Sequence, residues 1–338
     1  LQSLSGNNYA GFASTMVLGA QSFMNGFANQ AGGGAPQGAR IALAEACDVA
    51  CDATATPRWG AWGGGIGGLG SIGGSAAVGA VTYNAGGFAA GLDRQVTDTL
   101  RLGVTAGYSA GTQWVSGFAG QGKTDTVTGG LYANYAQGPA YVDALAGYAY
   151  GSNQMWRPIL LPGLSPRTAY GQAGVNQWYG QLEGGWRFDL GTAAAAWVTP
   201  FARLQAYTGT QNALTETGAA SLNLSVAAQT TNSLRSVLGA QLGGSLDLGW
   251  RDRLALQFRL GWSHEYADVS RPVTATLAGA AAMPFTTFGI SPTRDGALLG
   301  LSASTAIADA SSIYFRYEGT VSGQDNAHAF TAGLRMTW

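Results

Sequence analysis

The sequence predicts an all-β fold, a 12-stranded antiparallel transmembrane β-barrel with an N-terminal α-helix in its lumen. Three observations carry this expectation. Only 10% of the 338 residues are charged, against about 25% in ordinary soluble domains, while hydrophobic residues stand at an unremarkable 46%. From Pro57 onward apolar and polar residues alternate with period two, the signature of strands with two different faces. The connections between those strands sort into short and long ones by side. A barrel in lipid accounts for all three, because only every second residue meets the membrane.

The N-terminal element is the exception to the alternation. Between Tyr9 and Gln30 the larger apolar residues fall at Tyr9, Phe12, Met16, Phe23 and Phe27, a helical spacing. Small residues such as Gly11, Ala13, Ser14, Gly19 and Ala20 lie between them, and Asn7 or Asn8 is placed to cap the helix. About 20 residues at 1.5 Å each span ~30 Å, the depth of a bilayer core. The segment is too polar for lipid and suits a pore-lining or pore-plugging position. "AGGGAPQG" then breaks the helix, and Ile41 to Ala50 are expected to add a further turn or two. Residues 1–57 are thus a linker with the lumen helix, and residues 58–338 the barrel.

The twelve strands are expected near residues 59–70, 77–93, 99–113, 123–136, 139–152, 174–189, 196–209, 231–248, 253–268, 295–307, 312–321 and 327–338. The clearest, "RLALQFRLGWSHEY", sets Leu254, Leu256, Phe258, Leu260 and Trp262 against Gln257, Arg259 and Ser263. Elsewhere Leu102, Val104 and Tyr108 oppose Arg101 and Thr105. Trp178, Leu182 and Trp186 oppose Gln181, Glu183 and Arg187, and Ile313, Phe315 and Tyr317 oppose Arg316 and Glu318. Of the 17 basic residues only Lys123 is a lysine. Arginines on a polar row can pair bidentately with Glu183 or Glu318 and also hold strand register. Arg101, Glu183, Arg187, Gln257, Arg259, Arg316, Glu318 and Arg335 are therefore the candidates for contact with a helix in the lumen, presented to Phe12, Met16 and Phe23.

Connections at 94–98, 137–138, 190–195, 249–252 and 308–311 are short; those at 153–173, 210–230 and 269–294 are long. This is the asymmetry of outer-membrane barrels, with short periplasmic turns and long extracellular loops. An even strand count puts both barrel ends on the periplasmic side. The final strand, "HAFTAGLRMTW", carries Phe330, Ala332, Leu334, Met336 and Trp338 on one row. It is expected to pair with the first strand, which removes both edges, with Trp338 anchoring at the interface.

The closing strand with its terminal aromatic, the stretch "GGFAAGLDRQVTDTLRLGVTAGYS" (residues 86–109) and "LSGNNYAGF" before a slender helix resemble the translocator domain of classical autotransporters, the type V secretion family. The resemblance covers the chain from about Leu4 to Trp338. It implies a 12-stranded barrel with the helix through its lumen, and a passenger domain upstream of Leu1 that crosses the outer membrane with this barrel. It also implies that the outer-membrane assembly machinery reads the C-terminal strand, with Phe330, Leu334, Met336 and Trp338 as the signal. The family usually carries an acidic residue in the "LSGE" position, where this chain has Asn7. Some members cut themselves from their passenger when an asparagine side chain attacks the next peptide bond; Asn7-Asn8 is the candidate pair here, and helix capping the competing role.

Other motifs carry little chemistry. "GYSAG" (Gly107 to Gly111) fits a nucleophile elbow, but the strand alternation runs straight through Ser109 where an elbow needs a turn and a helix. "GIGGLG" (Gly65 to Gly70) fits a dinucleotide fingerprint, yet a glycine-rich turn and a strand follow it in place of a helix. Cys47 and Cys51 would need further metal ligands, and the histidines, His264 and His328, are distant in sequence; a local disulfide suits an oxidising compartment. With a net charge of -1 there is no electrostatic case for nucleic acid. No cofactor and no metal are expected. The chain reads as a monomeric translocator embedded in outer-membrane lipid. A passive porin is the alternative, and a membrane hydrolase built on Ser109 and His264 a thinner one. No leader is visible, so one is expected upstream of Leu1.

Overall fold

A computed structural model describes residues 4–28, 58–74, 78–117, 120–191, 195–247 and 253–338. Its barrel strands are β1 (Trp59–Ile72), β2 (Val81–Gln95), β3 (Leu100–Val115), β4 (Gln121–Gln137), β5 (Ala140–Ile159), β6 (Arg167–Trp186), β7 (Trp197–Gln211), β8 (Gln229–Leu246), β9 (Leu254–Glu265), β10 (Asp295–Ala308), β11 (Ser311–Val321) and β12 (Asp325–Thr337). Each pairs antiparallel with its neighbours in sequence, and β12 pairs with β1 from Gly60↔Thr337 to Ile72↔Asp325. The seam is completed by two backbone bonds, Trp59 N–H to Trp338 O at 2.9 Å and Trp338 N–H to Trp59 O at 3.0 Å. The C-terminal aromatic is thus tied to the first residue of the first strand, and no edge is left open.

The alternation sorts as lipid and lumen require. Phe258, Leu260, Trp262, Phe330, Leu334, Met336 and Trp338 are exposed on the outer face, while Gln257, Arg259, Ser263 and Thr331 between them are buried. Glycine has a specific use on the inner face. Trp62, Tyr132, Tyr141, Tyr179, Trp197 and Tyr314 stand directly opposite Gly91, Gly103, Gly185, Gly147, Gly243 and Gly333 on the next strand. In each pair a Cβ on the glycine would run into the ring. The rings lie flat across their neighbours because the side chain there is a hydrogen.

The region 153–173 is not a long loop. β5 and β6 run to 20 residues each and leave only 160–166 as connection. At these strand ends Asn153, Gln154, Arg157, Arg167, Thr168 and Gln172 are mixed with Met155, Trp156 and Tyr170, so the alternation that marks a strand fades. The other two long connections fold as well. Leu214–Thr215, Leu224–Val226, Pro272–Leu277 and Phe285–Phe288 form a small four-stranded sheet over the same end of the barrel. The turns at the opposite end are shorter, as at Gly138 and Ala308 to Ser311; 249–252 lies outside the described residues.

The helix α1 (Ala10–Ala28) follows a 3-10 turn at Asn7–Tyr9 and lies inside the barrel, in contact with β1, β3, β5, β7, β8 and β12. No described helix is long and apolar enough to cross a membrane. Gly6 holds the N-cap position in a left-handed conformation, φ 68°, with no side-chain cap. The expected capping by Asn7 or Asn8 is therefore corrected: both sit inside the 3-10 turn, buried at 5% and 4% exposure. Ile41 to Ala50, Cys47 and Cys51 lie outside the described residues.

Candidate functional site: the plugged lumen

The helix enters at the loop end. Tyr9, Ala10 and Phe12 pack with Met155, Ala173, Leu214, Leu224, Val226 and Val273, so the small sheet and the top of the β5–β6 hairpin close around the start of α1. The Tyr9 hydroxyl donates to Glu216 Oε1 at 2.8 Å. Glu216 also accepts from Arg157 Nε at 2.9 Å, from Arg157 Nη2, and from the Leu224 backbone N–H at 2.7 Å. Arg157 and Glu216 are both fully buried, and every charge there is paired, as burial demands. Residues 4–8 therefore lie at the loop mouth, with Leu4 packed near Ile159 and Ala219, whereas β1 begins at the opposite end beside Trp338.

Further in, α1 presents two opposite stripes. At 100° per residue Ser14 and Met16 point about 200° apart. One stripe is Phe12, Met16 and Phe23. Phe23 meets Tyr179 edge-on at 5.7 Å between centroids, and Met16 Sδ accepts from Asn153 Nδ2 at 3.5 Å. Trp62, Tyr132, Leu145, Ala149 and Tyr207 complete this packing. The other stripe, Ser14, Gln21 and Asn25, faces arginines. Arg271 Nε donates to Ser14 Oγ at 3.2 Å, Arg235 Nη1 to Gln21 Oε1 at 3.0 Å and Arg203 Nη1 to Asn25 Oδ1 at 3.0 Å.

Beneath the Asn25 contact lies a buried ion network. Arg203 Nε donates to Glu183 Oε2 at 2.6 Å and its Nη1 to Glu318 Oε1 at 2.7 Å. Arg259 Nη2 donates to Glu183 Oε1 at 2.5 Å, with Nη1 3.6 Å from Glu318 Oε2. Tyr141 OH adds a bond to Glu183 at 2.8 Å, and Arg259 stacks over Phe201 at 4.3 Å. Arg316, half-buried on β11, lies within electrostatic range of Arg259, Glu318 and Arg203. Gln257 joins the same wall through Gln241 and Ser302.

The placement of the candidate residues is therefore uneven. Glu183, Gln257, Arg259, Arg316 and Glu318 are gathered on one wall. Arg335 and Arg101 belong to a separate cluster, in which Asp93 accepts from Arg335 Nη2 at 2.7 and 2.9 Å and sits 3.4 Å from Arg101 Nε. Arg187 stands at the end of β6, bonded to exposed Asp189 at 2.7 Å and stacked over Trp197. Phe12, Met16 and Phe23 turn away from the arginine wall; the amide and hydroxyl stripe meets it instead, because guanidiniums need acceptors. Sequence reasoning passed over Arg203, although its row, with Gln205 opposing Ala202, Leu204 and Ala206, was visible. Arg157 and Glu216 lie 59 residues apart with no periodic signal joining them. Ser109 faces a lumen cavity while His264 lies on the outer face, bonded to Asp295 at 2.8 Å; the wall of the barrel separates them. His328 is bonded to Tyr317 OH at 2.8 Å.

Twelve closed strands, apolar outside and charged inside, define an outer-membrane β-barrel whose pore is occupied by its own polypeptide. The family model described as "Autotransporter beta-domain" matches residues 61–318, and the chain belongs to that family: it is an outer-membrane translocator domain. Among solved structures it is similar to the translocator domain of autotransporter NalP from Neisseria meningitidis, at TM-score 0.66 and 17% identity over 89% of this chain and 95% of that one. The beta domain of the Bordetella autotransporter BrkA aligns at TM-score 0.58 and 19% identity, over 83% and 100% of the two chains. The transport unit of AIDA-I from Escherichia coli aligns at 0.59 and 14%, over 90% and 99%. No curated protein matches the sequence significantly.

Proposed function

We propose that the barrel carries the polypeptide N-terminal to α1, a passenger domain, to the cell surface, and that the plugged lumen is the state reached after transport. The observation that carries this reading is the opposite placement of the two ends: Tyr9 is fastened at the loop mouth by Glu216, and β1 starts beside Trp338 at the short-turn end. In this reading the loops face the medium and the turns the periplasm. The domain works as a monomer in outer-membrane lipid, and the assembly machinery reads the strand ending in Phe330, Leu334, Met336 and Trp338. No nucleotide is needed, since folding of the passenger outside gives direction. A passive porin is disfavoured by a helix that fills the lumen. Self-cleavage at Asn7-Asn8 is disfavoured by the engagement of Glu216, the carboxylate that holds Tyr9, with Arg157 and the Leu224 amide. The reading is of a transporter without enzymatic activity.

The test is an epitope fused upstream of Leu1 and probed with antibody on intact cells. Surface labelling that is lost when Trp338 is deleted supports transport. An epitope that stays inside while the barrel reaches the outer membrane in a heat-modifiable form would overturn it.

A further inference from the structure

Away from the arginines, the barrel wall beside α1 is built of short side chains. Gly68 on β1, Ala85 on β2, Ser109 and Gly111 on β3 and Thr126 on β4 lie there. The helix meets them with Gly19, Ala20 and Ser22. Short residues on both sides do not close the gap, and a cavity of about 100 Å³ lies between them. A Cβ on Gly19 would meet nothing within 4 Å.

The cavity has an apolar side and a hydroxyl side. Met16, Phe23, Ile66 and Tyr179 form the first. Ser22, Ser109 and Thr126 form the second, with Ser109 directly opposite Thr126 in the β3–β4 register. Their neighbours are already bonded within the protein. Thr15 Oγ1 donates to Gln113 Oε1 at 3.0 Å, Thr124 Oγ1 donates to Asn153 Oδ1 at 2.8 Å, and the hydroxyls of Thr128 and Tyr179 bond at 2.6 Å. Ser22, Ser109 and Thr126 make no side-chain hydrogen bond among the described residues. Tyr83 also lines the cavity; it is 6% exposed, and its hydroxyl is buried without a partner. Such a group costs free energy until something bonds to it. No charged side chain lines the cavity among the described residues.

We propose that this cavity is a binding site for one small neutral polyol, a short diol or triol with an apolar edge. Cross-strand neighbours such as Ser109 and Thr126 hold their Cβ atoms about 5 Å apart, which suits two adjacent hydroxyls on one ligand. The carbon edge packs on Met16, Phe23 and Ile66. Size limits the ligand: an enclosed space of about 150 Å³ takes a molecule of about six heavy atoms, so the ligand here has about four to six. The lack of charge selects a neutral one, because an ion would lose its hydration without gaining a counter-charge. The bound molecule bridges Ser22 of α1 to the β3–β4 wall. It therefore binds only while α1 is in the lumen, and it stabilises the plugged state by mass action. The inference does not depend on passenger transport.

The full-length chain in detergent tests it, with propylene glycol as the probe and saturation-transfer NMR as the readout. The parent should bind propylene glycol and should prefer it severalfold over propionate and propylammonium, charged molecules of similar size. Gly19→Leu puts a side chain into the cavity and replaces a glycine within a helix, which favours the helix. It should keep a heat-modifiable barrel and lose the binding. Ser109→Ala and Thr126→Val each remove one hydroxyl and should weaken binding severalfold. In planar bilayers propylene glycol should lower the frequency of channel openings of the parent severalfold and leave Gly19→Leu unaffected. No binding to the parent, or binding that survives Gly19→Leu, would overturn the proposal. So would charged probes that bind as well as the diol. If Gly19→Leu does not fold, the two hydroxyl variants decide, and binding indifferent to both would refute the site.

Discussion

The hydroxyl of Tyr9 donates to Glu216 across 207 residues of sequence, at 2.8 Å, in a site where the glutamate also holds Arg157. This joins the start of the lumen helix to the loops over the mouth. Tyr9→Phe removes one bond to a charged acceptor and should cost about 1.5–3 kcal/mol of helix docking. Glu216→Ala strands Arg157 in a fully buried position and should cost more, about 3–5 kcal/mol. Limited proteolysis of the loop at 212–228 measures both. Equal, small effects would mean that the contact does not fasten the mouth.

Arg203 bonds to Glu183, Glu318 and Asn25 at once. Arg203→Ala leaves two buried carboxylates short of a partner, with a cost of about 3–5 kcal/mol. The expected sign is a lower denaturation midpoint of the purified barrel. Arg187→Ala, at the exposed end of β6 beside Asp189, should lie within about 1 kcal/mol of the parent.

Phe330 is outward-facing near the middle of β12, 38% exposed. Phe330→Arg puts a cation against the lipid, and near the midplane this costs about 2–4 kcal/mol. Yield of heat-modifiable barrel in outer-membrane fractions should fall. Thr331→Ser, one residue along and facing inward, should leave it unchanged.

Gly103→Ala would push the ring of Tyr132 off β3, where that tyrosine bonds to Asp93 at 2.7 Å. Overpacking of this kind costs about 1–3 kcal/mol. Gly86→Ala is the control, since a Cβ there meets nothing within 4 Å. A chain indifferent to both would show that the glycine contacts are incidental.

Epitopes placed at Met283, which is 72% exposed beside the small sheet, should be reachable on intact cells. Epitopes at Gly138, in the turn between β4 and β5, should be reachable only after the outer membrane is permeabilised. The reverse pattern would invert the orientation.

Most of the barrel was legible because lipid enforces the code. Phe258, Leu260 and Trp262 must be apolar and Gln257 and Arg259 need not be, so each strand within the membrane declares itself. The code lapses above the membrane, which is why Asn153 and Gln172 read as loop although they sit in the longest strands. The helix was legible from its bulky stripe; its working stripe was not, because Ser14, Gln21 and Asn25 acquire meaning only from arginines on distant strands. Arg157 with Glu216 was illegible for the same reason. A pair between a hairpin top and a loop has no period to betray it.

The rings seated on glycines have a consequence for how the barrel can be built. A strand slipped by two residues keeps its apolar row outward, so lipid does not notice the error. The rings do. Shifted by two, Tyr132 would meet Arg101 or Thr105 in place of Gly103, Tyr141 would meet Glu183 or Arg187 in place of Gly185, and Trp197 would meet Gln241 or Ser245 in place of Gly243. The five strand pairs that seat such rings, β1–β2, β3–β4, β5–β6, β7–β8 and β11–β12, thus check their own alignment, and a slip there is opposed at the strand where it occurs, before the two ends of the sheet come together.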